Sequence, residues 1–205
     1  MSIETLPLSM RLRVADEETD IDLEALQGLW SVEQYLKLTE GTNRLIEFTD
    51  GAIEVLPMPT RKHQAILRYL FRLFDAMMQQ IGGTAFFAPL RLRIGPDRFR
   101  EPDLLLLLSE QDPRNGERFW TGADLVLEVV SPDKPERDLV EKRDDYAEAG
   151  IPEYWIVNPS DESVTVLTLQ DKLYVPHAIV RRGEQASSKL LDGFTISVDA
   201  LFDAR

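Results

Sequence analysis

DLVLEVVSPD, residues 124–133, has the composition of a β-strand running into a turn. Leu125, Val126, Leu127, Val129 and Val130 suit a strand covered on both faces, because such strands carry nearly continuous apolar runs. Glu128 interrupts that run. A lone carboxylate taken out of water is costly, so its presence predicts a partner: either a structural ion pair or a site that uses the charge.

Working outward from this stretch, two neighbours supply candidates. Downstream, PERDLVEKRDDYAEAG (135–150) predicts a helix that ends at Gly150, with Leu139, Lys142, Tyr146 and Ala149 at helical spacing on one stripe. Leu139 and Tyr146 should point at the sheet, which directs Lys142 inward, while Glu141, Arg143, Asp144, Asp145 and Glu148 mostly take the flanks and outer face. Upstream, RFREPDLLLLL (98–108) predicts a central strand from its leucine run, and Asp103 sits at the head of that strand. Asp103 alone is weak evidence, since Pro-Asp is common turn chemistry. Asp103, Glu128 and Lys142 together make a charge-compensated cluster. Two strand carboxylates are hard oxygen ligands suited to Mg²⁺ or Mn²⁺, with Asp103 and Glu128 as the metal ligands. Lys142, kept protonated by its acidic neighbours, would orient the attacking water or stabilise a phosphoryl transition state.

The remaining elements follow from period and turn chemistry. WSVEQYLKL (30–38) predicts a helix over 32–39, with Ser31 and Gln34 forming a capping box and Trp30 and Tyr35 a hydrophobic staple. RLIEFTDGAIEVLPMP (44–59) predicts a hairpin turning at Asp50-Gly51. RKHQAILRYLFRLFDAMMQQIGG (61–83) is the strongest helical pattern, stopped by Gly82-Gly83. TAFFAPLRLRI (84–94) predicts one strand, with Arg91 and Arg93 on its solvated face. EYWIVNP predicts a further buried strand, SVTVLTLQ and LYVPHAIV a second hairpin, and SKLLDGFTISVDALF closes the domain. The order predicts an α/β (α+β) domain over 30–205, built on a central sheet. Residues 1–29 form an N-terminal extension, expected to be an extended or partly disordered arm.

Composition bounds the function. The chain has 205 residues, 43% hydrophobic and 29% charged, with no run approaching the length of a membrane span. It has no cysteine and no export pattern at its start, which fits a cytoplasmic protein. The net charge is −13, of which residues 1–27 contribute −5 through seven acids against Arg11 and Arg13. That field disfavours broad non-specific nucleic-acid binding and favours divalent cations.

EPDLLLLL, DLVLEVVSPD and EKRDDYAEAGIPEYWIVNP, preceded by RLIEFTDGAIEVLPMP and RKHQ, closely resemble the Uma-two family. Its members are assigned as endonucleases within the PD-(D/E)XK restriction-endonuclease-like superfamily. The resemblance covers roughly residues 30–205, with its core at 101–159. It implies a restriction-endonuclease-like fold, a mixed sheet flanked by helices, and metal-dependent hydrolysis of nucleic acid, with DNA the expected substrate. Pro102-Asp103 matches the PD element and Glu128 the acid of (D/E)XK. The lysine expected two residues later is Val130 here, and Lys142 is the natural substitute. The resemblance also draws in Glu47 as an extra acid near the metal and His63 as a residue facing the site. Read from the residues alone, Glu47 is a partly exposed strand acid and His63 a helix residue with a satisfied ring. His177 is given no role, and Ser131-Pro132-Asp133 turns the chain out of its strand.

A homodimer or larger homo-oligomer is expected, giving two sites for two strands. Two alternatives stand beside the nuclease: a catalytically silent domain serving binding or assembly, and a hydrolase of a smaller phosphodiester.

Overall fold

A computed structural model describes residues 9–14, 17–42 and 44–205. Within the extension, β1 (Ser9–Val14) and β2 (Glu17–Asp22) pair as an antiparallel hairpin. An acidic strand such as EETDID lacks the apolar alternation that would announce it, so only an arm was expected. Residues 1–8 of that arm lie outside the described residues.

The helix α1 (Val32–Thr39) starts where the capping box placed it: Ser31 Oγ accepts from the Gln34 amide, and Gln34 Oε1 accepts from the Ser31 amide. The hairpin β3 (Ile46–Thr49) and β4 (Ala52–Val55) turns through Asp50 and Gly51, whose φ values of 49° and 83° suit a tight two-residue turn. The long helix α2 (Arg61–Ile81) is capped by Thr60 and ended by Gly82 at φ 78°.

TAFFAPLRLRI is two strands, not one. β5 (Thr84–Phe87) joins the central sheet, while β6 (Leu92–Gly95) pairs with β7 (Arg98–Arg100) in a four-stranded sheet of order β4-β3-β7-β6. Pro89, which has no N–H to donate, falls at the break. Arg91 and Arg93 do not form a solvated strand face. Both are half-buried, and Arg93 donates to the carbonyls of Gly95 and Pro96.

The central sheet continues with β8 (Leu104–Leu107), β9 (Leu125–Val129), β10 (Glu153–Asn158), β11 (Ser163–Gln170) and β12 (Leu173–Arg181), in spatial order β12-β11-β10-β9-β8-β5. β9 and β10 are parallel and the other pairs antiparallel. Parallel neighbours need a crossover, and here it is a π-helical turn (Arg137–Glu141) leading into α3 (Lys142–Glu148). A plain α-helix was expected over this stretch. A small β13 (Gln185–Ser187)/β14 (Thr195–Ser197) pair and α4 (Val198–Phe202) complete the domain.

The leucine run shows why the sheet is central. Leu104 and Leu106 pack with α2, while Leu105 and Leu107 pack in the cluster holding Tyr146 of α3, and all four are fully buried. In β9, Leu125, Leu127 and Val129 face α2, and Val126 and Val130 face α3. By strand alternation Glu128 also faces α3. Among the described residues, no helix is long and apolar enough to cross a membrane.

Candidate metal centre

The β8/β9 register pairs Leu104 with Leu127. Extending it by one step sets Asp103 opposite Glu128, on the same face of the sheet, where Cβ atoms of a regular pair lie about 5 Å apart. Register is invisible in sequence, and it brings together two acids 25 positions apart.

Each carboxylate is held through one oxygen. Asp103 Oδ2 accepts from the Val129 amide at 2.7 Å and lies 3.1 Å from His63 Nε2. Glu128 Oε1 accepts from Lys142 Nζ at 2.9 Å and from the Tyr146 hydroxyl at 2.7 Å. Among the described residues nothing donates to Asp103 Oδ1 or Glu128 Oε2. His63 reaches Asp103 because it occupies the first turn of α2, where Thr60 caps its amide. The ring is not fully satisfied, since Nδ1 is buried without a partner. Burial works against its protonation, but the Asp103 hydrogen bond and charge prevail and raise its pKa.

Lys142 is buried, as the stripe predicted, with 2% exposure. Its ammonium lies within 3.2 Å of Glu47 Oε1 and 3.4 Å of Asp138 Oδ1, besides Glu128. Burial opposes the charged form, yet these three carboxylates raise its pKa, so the lysine is a fixed cation. Burial pushes the Glu128 pKa up, with Lys142 pulling the other way and Asp103, Asp138 and Glu47 adding to the rise.

Glu47 is not a partly exposed strand acid. It is buried at 1% exposure, with Oε2 2.9 Å from Arg100 Nη1 and Oε1 accepting from the Glu101 amide. Burial would raise its pKa, but Lys142 and Arg100 overcome it and hold the carboxyl at about 2. The burial comes from the four-stranded sheet packing over the site, a non-local contact that strand alternation cannot foresee. Ser131 has a structural part in turning the chain, its amide donating to Asp138 Oδ2 at 3.3 Å. His177 is exposed, with Nε2 3.2 Å from the Ser187 hydroxyl, and does not line the cleft.

Three residues near the pair escaped the sequence. Asp138 lies four positions before Lys142 on the same helical stripe and could have been found that way. Glu101 shares the alternation of Asp103 and lines the same cleft. Arg137 is brought to the cleft by the π-helical turn, which an α-helical period does not predict.

The cleft itself is small, about 30 Å³, and is walled in part by Leu56, Pro57 and Pro59. That is room for an ion or a few waters, and the cleft is open to solvent on one side. Among the described residues, no group of three or more His, Cys, Asp or Glu is arranged to hold a metal ion. What is present is a pair of carboxylates, each with one oxygen unengaged. This donor set fits a hard cation that takes one or two carboxylates and completes its shell with water or phosphate. It does not fit zinc, which needs three or four protein ligands.

Residues 32–199 match the Uma2 family, described as "Putative restriction endonuclease". Among solved structures, the chain is similar to "a putative nuclease belonging to DUF820 from Anabaena variabilis ATCC 29413", with a TM-score of 0.65 and 25% identity, over 83% of this chain and 96% of that one. No match is found among curated proteins. The solved fold agrees with the mixed sheet and flanking helices described above, which have the restriction-endonuclease-like arrangement. Because the matched segment takes in the whole central sheet and the Asp103, Glu128 and Lys142 cluster with it, the chain belongs to the Uma2 family.

Proposed function

We propose that this chain is a phosphodiesterase dependent on Mg²⁺ or Mn²⁺, an endonuclease that hydrolyses nucleic acid, with DNA as its first candidate substrate. Family membership supports a nuclease-like activity in general. The observation that carries the finer reading is the cross-strand placement of Asp103 and Glu128, each with one oxygen unengaged beside a buried ammonium.

Asp103 and Glu128 would hold the cation. When bound, it supplies a water of lowered pKa and positive charge opposite the phosphoryl oxygens. The protein's own groups do the positioning. The Val129 amide and His63 fix the Asp103 carboxylate, and Tyr146 and Lys142 fix that of Glu128. Lys142 also places a permanent positive charge where negative charge accumulates, in a cleft walled in part by Leu56 and the two prolines. Arg61 and Lys62, exposed in the first turn of α2 beside His63, offer local cations to a backbone phosphate despite the acidic whole. Self-association belongs to this reading, because a dimer presents two sites to two strands. Leu173 and Ile179, exposed on the edge strand β12, supply apolar surface for it.

The test is cleavage of plasmid and of labelled oligonucleotides with Mn²⁺. Wild type should cut, and Glu128→Ala should lose at least about a hundredfold in rate while unfolding cooperatively like the wild type. A wild type that leaves both substrates intact would refute the endonuclease. The cleft of about 30 Å³ and the charge of −13 favour one further reading, a smaller phosphodiester as substrate. Turnover of a chromogenic model diester without cleavage of nucleic acid would select it.

A further inference from the structure

Arg100 and Arg137 are both buried, at 6% and 4% exposure, but the fold satisfies only one of them. Arg100 donates through Nη1 to Glu47 and through Nε and Nη2 to Asp145. Arg137 makes no side-chain hydrogen bond among the described residues. Its nearest acids are Glu54, 3.5 Å from Nη1, and Asp138, 3.8 Å from Nε, and Nε is buried with no partner. A guanidinium carries five N–H donors in a rigid plane. Buried donors are almost always paired, so the unpaired Nε–H calls for an explanation.

Position supplies one. Arg137 lines the same cleft as Asp103 and Glu128. The other cation there, Lys142, donates a hydrogen bond to Glu128 and has Glu47 and Asp138 within 3.4 Å, and its ammonium is not left buried without a partner. Arg137 is therefore the cleft cation with a buried donor, Nε, left without a partner. Any anion entering here meets Asp103, Glu128 and Asp138, and a phosphodiester, with one charge shared over two non-bridging oxygens, matches the guanidinium fork.

We propose that Arg137 is a substrate-contacting residue, whose guanidinium donates to the non-bridging oxygens of a phosphodiester entering the cleft. This rests on the phosphodiesterase reading for its substrate class. The proposal can nevertheless fail or hold separately, because it is tested by binding without metal.

The probe is a fluorescently labelled single-stranded oligonucleotide, titrated in EDTA against wild type, Arg137→Gln and Arg137→Lys over a range of salt. Wild type should bind saturably. Arg137→Gln should weaken binding about tenfold and flatten the slope of log affinity against log salt by about 0.7, the loss of one phosphate contact on a single strand. Arg137→Lys should keep the slope and lose only part of the affinity, because it keeps the charge but not the fork. In the wild type, the Nε–H resonance missing from the Arg137→Lys spectrum should shift on adding inorganic phosphate, a readout that does not need the Gln variant to fold. Absent wild-type binding, an unchanged slope in a folded Arg137→Gln, or an unmoved resonance would overturn the proposal. Binding that depends on Arg137 without Mn²⁺-dependent cleavage would instead keep Arg137 and remove the nuclease.

Discussion

Glu128 and Glu153 lie in neighbouring parallel strands, are both buried at 3% and 1% exposure, and differ in everything else. Glu153 accepts from Trp155 Nε1 at 2.7 Å, the Ser188 hydroxyl at 2.6 Å, and the amides of Lys189 and Leu190 at 2.7 and 2.8 Å. Both its oxygens are filled, with two bonds each, and it anchors the segment leading to β14 onto the sheet. Glu128 takes two donors on one oxygen, shares its cation with two other acids, and lines a cleft. Burial of a charge is thus not the mark of a site. The mark is burial with hydrogen-bonding capacity left unused, since neutral donors can satisfy a carboxylate completely without any ligand.

The largest effects should separate the two residues cleanly. Glu153→Ala strands four donors and should cost about 3–5 kcal/mol, lowering the melting temperature by roughly 10 °C. Cleavage per folded molecule should be retained. Glu128→Ala should do the reverse: activity falls as described above, while stability changes by less than about 2 kcal/mol, because Lys142 keeps Glu47 and Asp138 as partners. If thermal unfolding ranks the two variants the other way, the distinction between anchor and site fails.

Glu101 sharpens the comparison by pH. Burial, reinforced by the charge of Glu47, pushes its carboxyl up to about 8 from 4.5, against the hydrogen bond from the Ile46 amide. The folded state therefore holds this proton more tightly than the unfolded chain. The resulting stability is fully present below about pH 4.5 and is lost as pH rises through about 8. Glu101→Gln should flatten that fall, narrowing the difference in unfolding free energy between pH 6 and pH 9 by an amount on the order of a few kcal/mol. Parallel pH profiles for wild type and variant would contradict it.

The smallest effects come from single hydroxyls. Tyr146→Phe removes one donor from Glu128 and Ser188→Ala one from Glu153. Each should cost about 1–2 kcal/mol by chemical denaturation. Only Tyr146→Phe should also slow cleavage, several-fold, because it loosens the carboxylate that the proposed reaction uses. Equal activities in the two variants would count against that use.

Much of this was legible before the structure. The capping box at Ser31 and Gln34, the Asp50-Gly51 turn and the period of α2 are local signals, and each element formed where its signal lay. The inward stripe of Leu139, Lys142 and Tyr146 likewise follows from local geometry. Pro89 was a visible break that the alternation around Arg91 and Arg93 concealed. The rest depended on contacts between distant segments. No spacing rule announces that Glu47 is covered, that the register sets Asp103 opposite Glu128, or that a π-helical turn swings Arg137 into the cleft. Residues 17–22 formed a strand without apolar alternation, which pattern reading cannot anticipate.

The most direct measurement is a crystal structure soaked in Mn²⁺, with the ion located by its anomalous scattering. The account predicts one ion in the cleft, bound by the unengaged oxygens of Asp103 and Glu128, with Lys142 still against Glu128. An ion held elsewhere, or a cleft that stays without one at millimolar Mn²⁺ while both carboxylates remain turned to Lys142 and His63, would contradict it.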